Sequence, residues 1–228
     1  MTRYPFLLLD ADNTLFDFDR NEDRAFSMLC AKYRLPCSPE SRAVYESFNQ
    51  PLWEQLEQGL VTKDFLKVER FRRFLAYYHR SEDAAAVGRD FLAFLGTGSL
   101  LMPHAEEACR ALARRHRLYI LTNSVASVHI DRMHQAAIAP YIEASFISET
   151  VGYEKPHPAF FETVLASIPG ITRDNCLLIG DSLTSDIRGG IGSGLPVCWY
   201  NPARQAAPPE LAIDYTITDL MELPALVD

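Results

Sequence analysis

Two aspartates, Asp10 and Asp12, close the apolar run in LLLDADNTLF (residues 7–16), with only Ala11 between them. Side chains of an extended chain alternate with period two, so both carboxyl groups can face one way. Carboxylates that close repel unless a cation lies between them or one holds a proton. Either arrangement suits chemistry: one acid ionised as a nucleophile or metal ligand, the other moving a proton. Taken singly, a DxD is more often a strand end followed by an Asx turn. Three further stretches change that balance. LYILTNS brings Thr122, Asn123 and Ser124 to the end of a second apolar run, where hydroxyl, amide and main-chain N–H groups can hold an anion or cap a helix. YEKPHP sets Lys155 before a proline, which biases its backbone toward an extended form, although a lone loop lysine is usually solvated. CLLIGDSLTSDIRGG drives a further run into Asp181, with Asp186 five residues on and Ser182 placed to cap the next helix. A second strand ending in acid like the first points to shared Mg²⁺, a hard cation that takes oxygen ligands.

The elements that must position these groups follow from periodicity. Short β-rich runs lie at residues 6–10, 118–123, 145–148, 176–181, 196–200 and 215–218, with helical patterns at 104–116 and 158–168. Such alternation predicts an α/β fold, a doubly wound parallel sheet covered on both faces. Ligands then sit beyond the carboxyl ends of strands, where the strand order switches. Asp10, Thr122 and Asp181 all fall at that edge. From about residue 17 to 95 the alternation stops, and four helical stretches follow one another with breaks at LPCSPE and Gly59. The expected organisation is a core of residues 1–16 and 97–228, with a helical insertion of residues 17–96 hinged just after Phe16 and near residues 96–99.

Composition narrows the partners. A net charge of −8 argues against nucleic acid polymers and anionic membrane surfaces. A small anionic ligand remains compatible, because a metal and one lysine reverse the local field. The apolar run in MTRYPFLLLD is too short for a signal peptide or a spanning helix. The five cysteines are odd in number, scattered and without a CxxC pair, which fits core packing in a reducing cytoplasm.

The ordered set DxDxT, T, K and GDxxxxD resembles the four motifs of the haloacid dehalogenase-like (HAD) hydrolases, over residues 7 to about 201. The resemblance implies a Rossmann-like core with strand order 5-4-1-2-3 and a helical cap domain of the C1 type. It implies that Asp10 attacks phosphorus to form an aspartyl phosphate, and that Asp12 protonates the leaving group and then activates water. Thr122 and Lys155, with Asn123 beside them, would bind the transferring phosphoryl group. Mg²⁺ would be held by Asp10, the main-chain carbonyl of Asp12, and Asp181, with Asp186 nearby or acting through water. An acid at position 12 is absent from the dehalogenases and P-type ATPases, so a phosphomonoesterase is expected. Asn13 stands where many relatives have glycine, and asparagine tolerates the unusual backbone angles such a position needs.

Two stretches, residues 52–74 and 189–202, are similar to the YjjG-type pyrimidine 5′-nucleotidases. The resemblance therefore favours a nucleoside 5′-monophosphate as substrate, a small phosphate ester handled by a monomer or small homo-oligomer. The alternatives are a phosphatase of phosphoglycolate or a sugar phosphate, a phosphomutase, and a receiver-like signalling domain. The last is disfavoured because a receiver carries its phosphoacceptor on the third strand. In the insertion, Trp53, Phe65, Phe71, Phe74, Tyr77 and Tyr78 are expected mostly in the insertion's own core, and Lys63, Lys67, Arg70, Arg72 and Arg73 on a solvated face.

Overall fold

The computed structural model describes residues 2–227, which divide into two compact units. One runs up to Phe18 and resumes at Ser99; the other is Asp19–Gly98.

The first unit is built on six parallel strands, β1 (Phe6–Leu9), β2 (Arg117–Thr122), β3 (Ile142–Ile147), β4 (Cys176–Gly180), β5 (Val197–Tyr200) and β6 (Tyr215–Ile217), in the order β3-β2-β1-β4-β5-β6. This contains the expected 5-4-1-2-3 arrangement and extends it by β6 at one edge. The chain winds outward from β1 to β3, then returns to the other side of β1 with β4. The order therefore switches between β1 and β4. β1 is buried on both faces: Leu7 and Leu9 join one apolar cluster, Phe6 and Leu8 the other. Period two thus feeds two cores from one strand.

Helices cover both. Ala105, Ala108, Cys109 and Leu112 of an eight-residue helix, Ala105–Leu112, pack with Leu7 and Leu9. Phe160, Phe161 and Val164 of the helix Pro158–Ser167 pack with Phe6 and Leu8. β3 begins three residues earlier than periodicity suggests, because Ile142, Glu143 and Ala144 lie on an edge strand where burial does not enforce an apolar pattern. All five cysteines are free, and Cys30, Cys109, Cys176 and Cys198 are buried as small apolar groups.

The second unit contains four helices, α1 (Phe18–Tyr33, starting one residue before it), α2 (Pro39–Glu57), α3 (Lys63–Tyr77) and α4 (Ala84–Gly96). Ser38, Thr62 and Asp83 cap the last three, each side chain accepting a hydrogen bond from a first-turn N–H. Tyr45, Phe71, Phe74 and Phe91 are fully buried, with ring centroids 5.1–6.1 Å apart for the neighbouring pairs. Phe65 and Tyr77 are instead exposed, so the aromatics divide between core and surface. The basic residues divide too. Arg72 is exposed, whereas Arg70 and Lys63 are buried. Arg70 is accommodated because its Nη1 donates to Tyr45 Oη and Asn49 Oδ1, each at 3.1 Å, while its guanidinium lies over Phe71 and Phe91.

Gly88 lets α4 approach α3, since a Cβ there would lie 2.7 Å from the Lys67 carbonyl oxygen. Alanine in a helix interior is favoured over glycine by about 1 kcal/mol. Forcing a methyl against a backbone atom costs about 1–3 kcal/mol. The clash is expected to win, so Gly88→Ala should lower the urea midpoint of the helical unit. An unchanged or raised midpoint would show that the helices separate freely.

Candidate active site

β1 ends at Leu9, but the ladder continues for one residue through Asp10 N–H donating to the Ile179 carbonyl at 2.8 Å. The chain then folds back sharply. Leu15 and Phe16 N–H groups both reach the Ala11 carbonyl, and Asn13 sits at φ 62° with its Oδ1 accepting from Phe18 N–H. The asparagine tolerates that left-handed angle, and its side chain ties the turn.

Lys155 brings the strand ends together. Its ammonium, 1% exposed, donates to Asp10 Oδ1 at 2.6 Å, Asp186 Oδ1 at 2.6 Å and the Leu121 carbonyl at 2.7 Å. Burial works against its charge, but the attraction of Asp10 and Asp186 outweighs that and raises its proton affinity. The Asn123 amide holds the lysine's main chain, donating to Lys155 O and accepting from Lys155 N–H, each at 2.8 Å. Asn123 therefore positions the lysine, a task its place beside Thr122 does not reveal. Thr122 is buried, with Oγ1 accepting from Ser124 N–H at 3.0 Å.

Asp181 follows β4. Thr14 Oγ1 donates to its Oδ1 at 3.0 Å and accepts its main-chain N–H at 3.1 Å, so the DxDxT threonine joins β1's loop to β4. Asp186 is fully buried, and its Oδ2 accepts from Ser182 N–H at 3.2 Å. A Cβ on Gly180 would fall 2.3 Å from that oxygen, so only glycine fits the strand end here. Ser182 caps the next turn through Ser185 N–H, as its position suggests.

One carboxyl oxygen each from Asp10, Asp181 and Asp186 lies within 4.8 Å of the others. Three carboxyl groups against one ammonium leave an excess of negative charge. Burial first, then the charge of Asp186, pushes Asp10 well above the usual carboxylate range and Asp181 up to about 7. An all-oxygen donor set with surplus negative charge fits a hard divalent cation, which would relieve that crowding.

Asp12 lies outside this trio. Its carboxylate is 2.7 Å from Arg132 Nη1, and the arginine side chain is completely buried. Arg132 and its helical neighbour His129 come from the helix Ala126–Met133. No motif marks them, because a basic residue on a short amphipathic helix reads as a solvated charge. His129 Nε2 shares a 2.9 Å hydrogen bond with Ser145 Oγ, and burial lowers its pKa to about 4.

This fold, with acids at the ends of β1 and β4, a threonine at the end of β2 and a lysine joining them, is matched by the family model "haloacid dehalogenase-like hydrolase" over residues 6–194. The chain belongs to that family. It is similar to the HAD-hydrolase YfnB of Bacillus subtilis, 35% identical over 98% of this chain and 95% of YfnB. A crystal structure of YfnB superposes with a TM-score of 0.93, at 34% identity, over 99% of both chains; that protein was solved bound to magnesium and reveals interdomain movement. The pyrimidine 5′-nucleotidase PynA of Streptococcus pneumoniae is 32% identical over 87% of this chain and 84% of its own. The pyrimidine 5′-nucleotidase YjjG of Escherichia coli is 27% identical over 99% and 98%.

The buried imidazole makes a pH prediction. Unfolded, His129 takes up a proton near 6.5; folded, it resists until about 4. The unfolded state thus binds more protons between those values, and stability falls as pH drops through about 6.5 toward 4. Urea unfolding at pH 7.5 and 5 should show a larger loss for the natural protein than for His129→Gln. Equal losses would place the histidine's proton affinity at its ordinary value.

Proposed function

We propose that the protein is a Mg²⁺-dependent phosphomonoesterase that forms an aspartyl phosphate on Asp10 and acts on pyrimidine nucleoside 5′-monophosphates. The observation that carries the reading is the buried bridge from Lys155 to Asp10 and Asp186 within an all-oxygen acidic trio. Phosphoryl transfer is mostly positioning and charge neutralisation, and this cluster offers both.

Asp10, Asp181 and the main-chain carbonyl of Asp12 would hold the metal, with Asp186 behind them. When bound, the cation neutralises charge on the phosphoryl oxygens. Lys155 fixes the Asp10 carboxylate and, with Thr122, binds the phosphoryl group. Asp10 attacks phosphorus as the bond to the leaving oxygen breaks, and Asp12 gives that oxygen its proton. Asp12, now ionised, takes a proton from water as the water attacks phosphorus. Inorganic phosphate leaves, and Asp10 is restored.

We assign the helical unit the role of a cap that selects the leaving group. An aromatic-rich unit can offer a face on which a base stacks, worth about 1–3 kcal/mol per base. The names of PynA and YjjG support a pyrimidine nucleotide. The magnesium in YfnB supports the metal. A cytoplasmic setting fits the free cysteines, and no helix among the described residues is long and apolar enough to cross a membrane.

Phosphate release from a panel of phosphomonoesters with Mg²⁺ tests the reading. dUMP, UMP or dTMP should lead in kcat/KM, and EDTA should silence turnover until Mg²⁺ or Mn²⁺ is restored. Asp10→Asn should lose on the order of a thousand-fold or more in kcat, as removal of a nucleophile does. A hexose phosphate or phosphoglycolate turned over a hundred-fold better than any nucleotide would overturn the substrate assignment. Near-normal turnover by Asp10→Asn would overturn the mechanism.

A further inference from the structure

Arg132 is a fully buried guanidinium on a helix that carries none of the family's motif residues. Replacing a buried ion pair by apolar groups of similar volume is often neutral or stabilising, so packing alone gives no reason for an arginine here. Its surroundings instead centre on Asp12. Nη1 lies 2.7 Å from Asp12 Oδ1, and Nη2 donates to Ser124 Oγ at 3.2 Å, two residues past Thr122. The guanidinium carbon stands 4.8 Å above the centre of the Phe16 ring and 5.9 Å from that of Phe18.

Phe16 closes the turn that carries Asp12: its N–H reaches the Ala11 carbonyl and its own carbonyl accepts from Asn13 N–H. The same loop therefore presents both the carboxylate and the ring on which the arginine rests. Asp12 Oδ1 is buried against the guanidinium, while the Asp12 side chain as a whole keeps 26% exposure. The exposure of the side chain therefore lies away from Oδ1. The contact is close, but Nη1 and Oδ1 do not meet along a hydrogen-bond axis, and Arg132 Nε has no hydrogen-bond partner. Such a pair holds the carboxylate by charge rather than by an aligned hydrogen bond.

We infer that Arg132 is a positioning residue for the proton-transfer group: it anchors Asp12 by one carboxyl oxygen and keeps the other available to the leaving group and to water. This rests on the reading of Asp12 as acid and base given above. Ser124 and Phe16 act one step further out, fixing the arginine's head.

The test uses esters that differ in their need for a proton. A nucleoside leaves as an alkoxide unless protonated, whereas p-nitrophenol leaves readily without an acid. With Mg²⁺ present, kcat/KM reports transfer to Asp10 in both cases. Arg132→Met keeps length and apolar bulk but removes the charge. Its kcat/KM for dUMP should fall about ten- to a hundred-fold, up to the lower end of the roughly 10²–10⁴ that general acid–base catalysis supplies, and for p-nitrophenyl phosphate less than about threefold. Asp12→Asn should show the same selective loss. In the Asp12→Asn background, Arg132→Met should add less than about twofold, because the arginine acts through the carboxylate. Arg132→Lys, with charge but no planar head, should give an intermediate ratio between the two esters.

Equal loss on both esters in folded Arg132→Met, or full additivity with Asp12→Asn, would overturn the positioning role. If Arg132→Met does not fold, an Arg132→Lys ratio unchanged from the natural protein overturns it. Asp12→Asn without leaving-group selectivity would instead overturn the reading of Asp12 on which this inference rests.

Discussion

The ammonium of Lys155 is where the ends of three strands meet in one buried charge cluster. It hydrogen-bonds Asp10 after β1, Asp186 beyond β4 and the Leu121 carbonyl near the end of β2. A lysine buried this deeply is tolerable only when its charge is answered, and buried acids are tolerable only on the same condition. Each group therefore requires the others. Gly180 without a side chain makes room for Asp186, the Asn123 amide fixes the lysine's main chain, and Thr14 ties Asp181 to the β1 loop. The apolar strands behind supply rigidity: Leu7, Leu8 and Leu9 are essentially without exposure, so Asp10 is presented from a fixed edge.

The same rule repeats at Asp12. One oxygen of that acid is answered by Arg132, while Asp10, Asp181 and Asp186 gather on the other side of the motif's division of labour. Two aspartates separated by one alanine thus enter different electrostatic surroundings. Asp10 is crowded by like charge and shares a lysine; Asp12 has a cation of its own and partial exposure. That separation suits the roles of nucleophile and proton carrier proposed for the two carboxyl groups.

The helical unit shows what buried polarity does away from such a site. Glu22, Arg42, Tyr45, Asn49 and Arg70 form a connected network among stacked aromatic rings. Burial raises the Glu22 carboxyl to about 7, against the opposing pull of Arg42. The network ties α1, α2 and α3 to one another by directional contacts that apolar packing alone does not supply.

Read from the chain alone, strand-by-strand periodicity already placed Asp10, Thr122 and Asp181 at one edge of a parallel sheet, because alternation and apolar runs are local properties that survive in one dimension. The interruption by helical patterns likewise predicts an insertion of residues 17–96; the compact helical unit is Asp19–Gly98, two residues later at each end. What periodicity could not supply was the partner of each charge. Lys155 lies 145 residues from Asp10, and only the β1–β4 switch and the loop after β3 bring them within 2.6 Å. Arg70 looked like a solvated cation, and nothing drew notice to Arg132, because a side chain's charge is visible in the sequence but its burial is not. Asn123 belonged to an anion-binding motif by neighbourhood, yet its amide answers the main chain of a residue 32 positions away. Residue type and spacing determined which groups could do chemistry; long-range packing decided which charge each one faces, since a counterion is chosen by distance in space and not by distance along the chain.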